Sequence, residues 1–113
     1  MAAFQNIVPY QFGQAEATNV TATLYTVPTA NRAILKDIEV ANTTGGALSI
    51  TIYLVPSGGS AATTNALFYG VSIDANSTLQ WTGTQVLHGG GFISILSSAA
   101  TGLTVTASGG LAT

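Results

Sequence analysis

The chain contains no cysteine, two basic residues and a single histidine among its 113 residues. The missing cysteines exclude disulfides and thiolate metal sites. One histidine with four carboxylates falls short of the familiar zinc sites, and the residues call for no cofactor. Charged residues make up 5% of the chain, against about 25% in an ordinary soluble protein. Thr, Ser, Asn and Gln must therefore supply the polar surface. Arg32 and Lys36 are the only cations, too few to neutralise a run of phosphates, which argues against nucleic acid as a partner and against an anionic membrane surface. No apolar run approaches the ~18 residues of a membrane-spanning helix. No basic residue precedes Arg32, so the positive start of a secretory signal is missing. A net charge of -2 protects a free protein poorly against association. Such a chain is expected to end up in an assembly.

What the sequence has is alternation. Val20, Ala22 and Leu24 fall on one face of a strand, opposite Thr21, Thr23 and Tyr25. Ile50, Ile52 and Leu54 oppose Ser49, Thr51 and Tyr53; Leu67, Tyr69, Val71 and Ile73 share a face; Ile93 aligns with Ile95; Leu103, Val105 and Ala107 oppose Thr104, Thr106 and Ser108. A period of two in β-branched and aromatic residues marks strands with one buried face. Turn residues punctuate these runs at 27–31, 42–46, 55–65, 74–77, 88–91 and 97–102. The pattern predicts an all-β fold: a single antiparallel sandwich of about eight strands, jelly-roll-like, with an Ig-like sandwich as the alternative. Residues 1–16 read either as an edge strand that tolerates Pro9 or as an arm whose Phe4, Tyr10 and Phe12 dock on a neighbouring subunit. Residues 17–113 form the sandwich.

Several residue groups invite a chemical reading. Leu87 to Phe92 reads Leu-His-Gly-Gly-Gly-Phe, and a His-Gly-Gly-Gly run builds part of the oxyanion hole in many esterases. Here the nucleophile elbow Gly-x-Ser-x-Gly is missing and no second histidine is left to act as base. The run is expected to be a glycine hairpin with His88 at its rim as a contact residue. Arg32, Lys36, Asp37 and Glu39 gather four of the six formal charges between 31 and 42. Ile34, Ile38 and Val40 share a face there, with Leu35, Asp37 and Glu39 on the other. Lys36 interrupts the apolar face, so either a bulge shifts the register or its stem reaches the rim. The cluster reads as an edge or solvent face kept from sticking, or as ion pairing across a subunit contact. A calcium ion between Asp37 and Glu39 lacks enough oxygen ligands, and Asp74 with Asn76 suits an Asx turn. Asn19, Asn42 and Asn76 open glycosylation sequons without a secretion signal. Trp81 is either half-buried core or a sugar-stacking platform, the latter making a carbohydrate-binding module.

The stretch 24–68, with Leu-Tyr-Thr-Val-Pro at its start and Tyr-Leu-Val-Pro-Ser-Gly-Gly at 53–59, resembles small virion proteins of tailed bacteriophages. Residues 71–81 and 92–109 fit the same layout, so the resemblance covers roughly 20–110. Where the family often has a Gly-Asp turn, this chain has Gly89-Gly90-Gly91. The resemblance implies a non-enzymatic structural part of a virion, made in the bacterial host cytoplasm. The leading expectation is a homotrimeric capsid decoration (cement) protein bound to the major capsid protein. The alternative is a tail, baseplate or fibre-associated adaptor bound to tail proteins.

Overall fold

The computed structural model describes residues 6–113. Along them run β1 (Ile7–Ala17), β2 (Ala22–Thr26), β3 (Arg32–Asn42), β4 (Leu48–Val55), β5 (Ala66–Ile73), β6 (Thr78–Leu87), β7 (Phe92–Ser97) and β8 (Leu103–Ala112). β1 pairs antiparallel with β8, β2 with β7, β3 with β6, and β4 with β5. The chain is thus one long two-stranded ribbon, folded back at the 56–65 connection, which holds a single 3-10 turn (Thr63–Asn65). Rolling that ribbon brings β3 against β8 and β4 against β7. Two four-stranded sheets result, ordered β1-β8-β3-β6 and β2-β7-β4-β5. This is jelly-roll topology. Only the β4–β5 connection joins neighbours within one sheet.

That topology corrects one expectation. β6 and β7 lie in different sheets, so the His-Gly-Gly-Gly run is a crossover from sheet to sheet and not a hairpin.

The two sheets enclose an aliphatic core. Leu35, Ile38 and Val40 of β3 and Leu103 and Val105 of β8 meet Ile50, Ile52 and Ile93 of the other sheet, all at 0–1% exposure. Burying each such side chain contributes about 1.5–3 kcal/mol. In β7 and β8 the inward residues are those the alternation predicts. Elsewhere bulges reset the parity, because one extra residue turns every later side chain to the opposite face. On β3 the register jumps at Lys36 relative to both neighbours. Leu35, not Ile34, therefore faces the core ahead of the jump, and Ile38 and Val40 face it afterwards. The bulge reading of Lys36 is the correct one. β3 is also an interior strand between β8 and β6, which removes the edge-strand reading of its charges. On β5 the register passes over Tyr69 and Gly70, with Gly70 at φ +62. Tyr69 is left 65% exposed instead of sharing the inward face of Val71 and Ile73. β2 slips at Leu24, and Val20 lies outside any strand, exposed.

Three irregularities fall at one level of the first sheet: the bulge at Lys36 on β3, one at Phe12 on β1, and one at Gly83 and Thr84 on β6. They divide the outer face of that sheet into two zones.

Candidate interaction surface

On the side of the bulges toward Asn42, outward residues pair in polar rows. Gln14, Thr106, Glu39 and Gln80 stand opposite one another across all four strands, and the Gln14 amide donates to Thr106 Oγ1 at 3.1 Å. On the other side the outward row is Pro9, Gly110, Ile34 and Val86. It crosses the same four strands and contains no polar side chain. Val86 is 49% exposed, and Ile7, beside Gly110, is 63% exposed. Gly109 and Gly110 form the floor of a trough of about 380 Å³ between the Ile7 and Pro9 wall on β1 and the Ile34 and Lys36 wall on β3. A Cβ on Gly110 would stand 2.9 Å from Ile7 Cγ2, so glycine is what keeps the floor low.

The candidate contact residues divide between this surface and the interior. Phe4 lies outside the described residues. Phe12 is 3% exposed and belongs to the core, on the same side of β1 as Tyr10 and opposite to Pro9; it is not available on the surface of the subunit. Tyr10 remains 38% exposed. It stacks with Phe12 and Tyr25 at ring-centroid separations of 5.5 and 5.7 Å, bridging β1 and β2 across the seam between the sheets. Arg32 is exposed at the start of β3, and Lys36 is exposed at the bulge, where its Nζ donates to Thr84 Oγ1 at 2.9 Å. Asp37 is half-buried, and its Oδ1 is enclosed without a hydrogen-bond partner. Glu39 is exposed in the polar zone. Among the described residues no three His, Cys, Asp or Glu side chains are grouped to hold a metal.

Burial first, then the hydrogen bond and charge of Tyr10, push Tyr25 up to about 12 from an ordinary 10. Folding favours the neutral phenol, so the associated stability is complete below pH 10 and is lost as the pH rises through about 12. Ultraviolet titration should resolve one of the four tyrosines ionising near 12. Tyr10→Phe should bring that step down; an unchanged step would separate Tyr25 from Tyr10.

His88 is exposed at the end of the sandwich that carries Arg32 and Val86. Its carbonyl accepts from Gly91 N at 2.9 Å, and Gly90, at φ +89, completes the turn. Gly90 N donates to the Val27 carbonyl, and Val27 N donates to the Gly91 carbonyl, both at 2.8 Å. The amides of Gly90 and Gly91 are therefore engaged within the fold and do not point at a place where an oxyanion would sit. A smaller cleft of about 200 Å³ beside His88, reaching Pro56, Ser57 and Gln85, completes this end.

Trp81 packs partly buried against the core, as a core residue would. Its ring lies over Gly83, where a Cβ would meet Cζ2 at 2.8 Å. Gly83→Ala should displace the indole, shift the emission of this only tryptophan to the red and cost about 1–2 kcal/mol by overpacking. Unchanged emission would contradict that packing.

Neither the polar hub at Asn42 nor the outward apolar row is visible in the sequence. Asn42 is 2% exposed. Its Nδ2 donates to the carbonyls of Gly46, Ile73 and Asp74 at 2.9, 3.0 and 3.2 Å, while its Oδ1 accepts from Thr44 N and Oγ1 at 3.0 and 2.7 Å. The adjacent pair Gly109-Gly110 was the one available signal for the trough, since paired glycines in a strand mark close approach or open space.

No family model matches the chain, and no curated protein matches it. Solved structures do. A subunit of the disulfide-linked pili formed by Bacillus endospore appendages is similar over 100% of this chain and 95% of its own, with TM-score 0.59 and 15% identity. Chains of infectious bursal disease virus are similar over 95% of this chain. The Gx strain gives TM-score 0.52 at 20% identity, and the T13 particle gives 0.53 at 16%. This chain spans about a third of those viral chains' length. At such identities the likeness establishes the fold: an all-β two-sheet roll of the kind also found in virus-particle and pilus proteins.

Proposed function

We propose that the protein is a non-enzymatic structural subunit of a tailed-phage particle, a homotrimeric capsid decoration protein that binds the outside of the head across joints between major capsid subunits. The observation that carries this reading is the apolar row of Pro9, Gly110, Ile34 and Val86 on the outer face of a sheet, in a chain with almost no charge. Such a face loses contact with water only by covering a neighbour. Burying it on the shell lowers the free energy of the assembled state relative to the separate parts. The same roll occurs in particle and pilus proteins, which supports an assembling role. The Bacillus pili are disulfide-linked; a chain without cysteine must hold its neighbours by packing and hydrogen bonds alone. A tail or fibre-associated adaptor is the second reading, favoured by whole-chain likeness to a subunit that repeats along a pilus. Particles lacking the protein should release their contents at lower temperature than complete ones, and adding it back should restore tolerance. Equal heat tolerance with and without it would remove the decoration role.

A further inference from the structure

We propose that the free edge of β6 from Thr78 to Thr82 pairs antiparallel with the same edge of a second copy of this chain, about a two-fold axis at Gln80. The two sheets end in four edge strands, β1, β6, β2 and β5, and three of them carry an obstacle to a further strand. β1 contains Pro9, which has no N–H to give. Leu24 of β2 also lies over its Gly13, where a Cβ would stand 2.9 Å from Leu24 Cγ. β2 is five residues long and slips at Leu24. β5 is broken at Tyr69 and Gly70, and the Gly70 amide donates to Thr51 Oγ1 at 2.9 Å. Devices of this kind keep an edge from recruiting strands. β6 has none of them from Thr78 to Thr82, where it holds unbroken register with β3 and contains no charge, Pro or Gly.

A bare edge offers main-chain hydrogen bonds to any strand, so the side chains choose the partner. Thr78-Leu79-Gln80-Trp81-Thr82 alternates polar and apolar symmetrically about its centre. Centred on Gln80, an antiparallel pair sets Thr78 opposite Thr82 of the second copy, Gln80 opposite Gln80, and Leu79 opposite Trp81. Residues directly opposite share a face and touch. The exposed hydroxyls and amides of Thr78, Gln80 and Thr82 meet on the outer face, where they can bond one another. Leu79 and Trp81 meet on the inner face. A single subunit buries these two only in part, and the pairing covers what it leaves wet. The polar row of Gln14, Thr106, Glu39 and Gln80 continues in reverse through the second copy. The two Glu39 positions stay three strand spacings apart, ~14 Å, so no like charges are opposed. The contact is isologous and closes at two copies; in a trimeric chain it joins one trimer to the next. It leaves the row of Pro9, Gly110, Ile34 and Val86 uncovered. It is tested on the purified chain, so its failure leaves the particle-subunit reading standing.

The absence of native cysteine makes the register testable. Gln80→Cys puts a cysteine opposite its own copy, within disulfide reach. Mild oxidation at concentrations where the chain associates should convert it to a covalent dimer on a non-reducing gel. Thr78→Cys and Thr82→Cys each set like cysteines ~14 Å apart across the pair and should stay largely unlinked. The double variant Thr78→Cys/Thr82→Cys should link, because each cysteine then faces the other kind. Equal linking of all three single variants, or none by Gln80→Cys, would overturn the proposal. Independently, Gln80→Lys opposes two cations at the axis while placing each beside Glu39 of its own subunit. It should weaken self-association about tenfold or more in sedimentation, with an unchanged melting temperature in dilute solution. Undiminished association of that variant, or a wild-type chain that stays monomeric at all concentrations, would also overturn it.

Discussion

Asn42→Ala should lower the unfolding free energy by about 3 kcal/mol, seen in urea titrations as a lower midpoint at unchanged slope. The side chain is nearly sealed from water and serves three chain segments. Its amide holds the carbonyls of Gly46 in the β3–β4 connection, of Ile73 at the end of β5 and of Asp74 just after it, and its oxygen takes both donors of Thr44. Two amide hydrogens face three carbonyls, so one of them is shared, the longest contact being that to Asp74 at 3.2 Å. Alanine removes all of these partners and puts no water in their place. Each buried group left unpaired costs about 1–3 kcal/mol, reduced wherever the connection opens to solvent. Asn42→Asp provides the sharper control. A carboxylate facing carbonyl oxygens is disfavoured, so the folded protein holds that acid protonated above its ordinary range. The variant's stability is then greatest below the unfolded-state pKa and falls as pH rises through the raised folded value. A variant equally stable at pH 4 and pH 8, relative to wild type, would contradict this assignment of the hub.

Gly89→Ala is expected to be nearly as damaging, at about 2–3 kcal/mol. A Cβ there would fall on the Thr29 backbone, 2.7 Å from its carbonyl carbon and 2.8 Å from its Cα. A side chain can rotate out of the way, but this backbone cannot. The 27–31 turn and the 88–91 turn are held together by the two hydrogen bonds between Val27 and the glycines, so relief means pulling those turns apart. Gly45 and Gly46 have open space at the same position, and Gly45→Ala should change stability by less than about 0.5 kcal/mol. Comparing the two melting curves isolates close approach from the general effect of replacing a glycine. Equal curves would mean that the turns do not need the contact.

These two sites show where the sequence could be read and where it could not. The strands of β7 and β8 were legible because nothing interrupts their period of two. Lys36 could be seen to break a pattern, but a lysine at a bulge and a lysine reaching the rim look alike in one dimension. The answer depends on which neighbours β3 pairs with. The same bulge sends Ile34 outward into line with Pro9, Gly110 and Val86, so the apolar row follows from register set by three other strands. Asn42 resembled any other Asn-Thr turn, because its acceptors lie up to 32 residues away. Phe12 could not be told from a surface aromatic, because the side of β1 that faces the core is set by its pairing with β8. The His-Gly-Gly-Gly run was recognisable as a turn from its missing catalytic partners. Its true requirement, contact with Thr29 across the end of the roll, was not.

The central claim is that this roll is a repeated subunit of a particle, and imaging purified intact phage particles tests it most directly. The account predicts a density fitting a 52 × 26 × 18 Å body, repeated on the outside of the head at the joints between capsid subunits, in hundreds of copies. Finding the protein absent from purified particles, or present only as a soluble host-cell protein, would contradict it; a few copies at the tail would replace decoration by the adaptor reading.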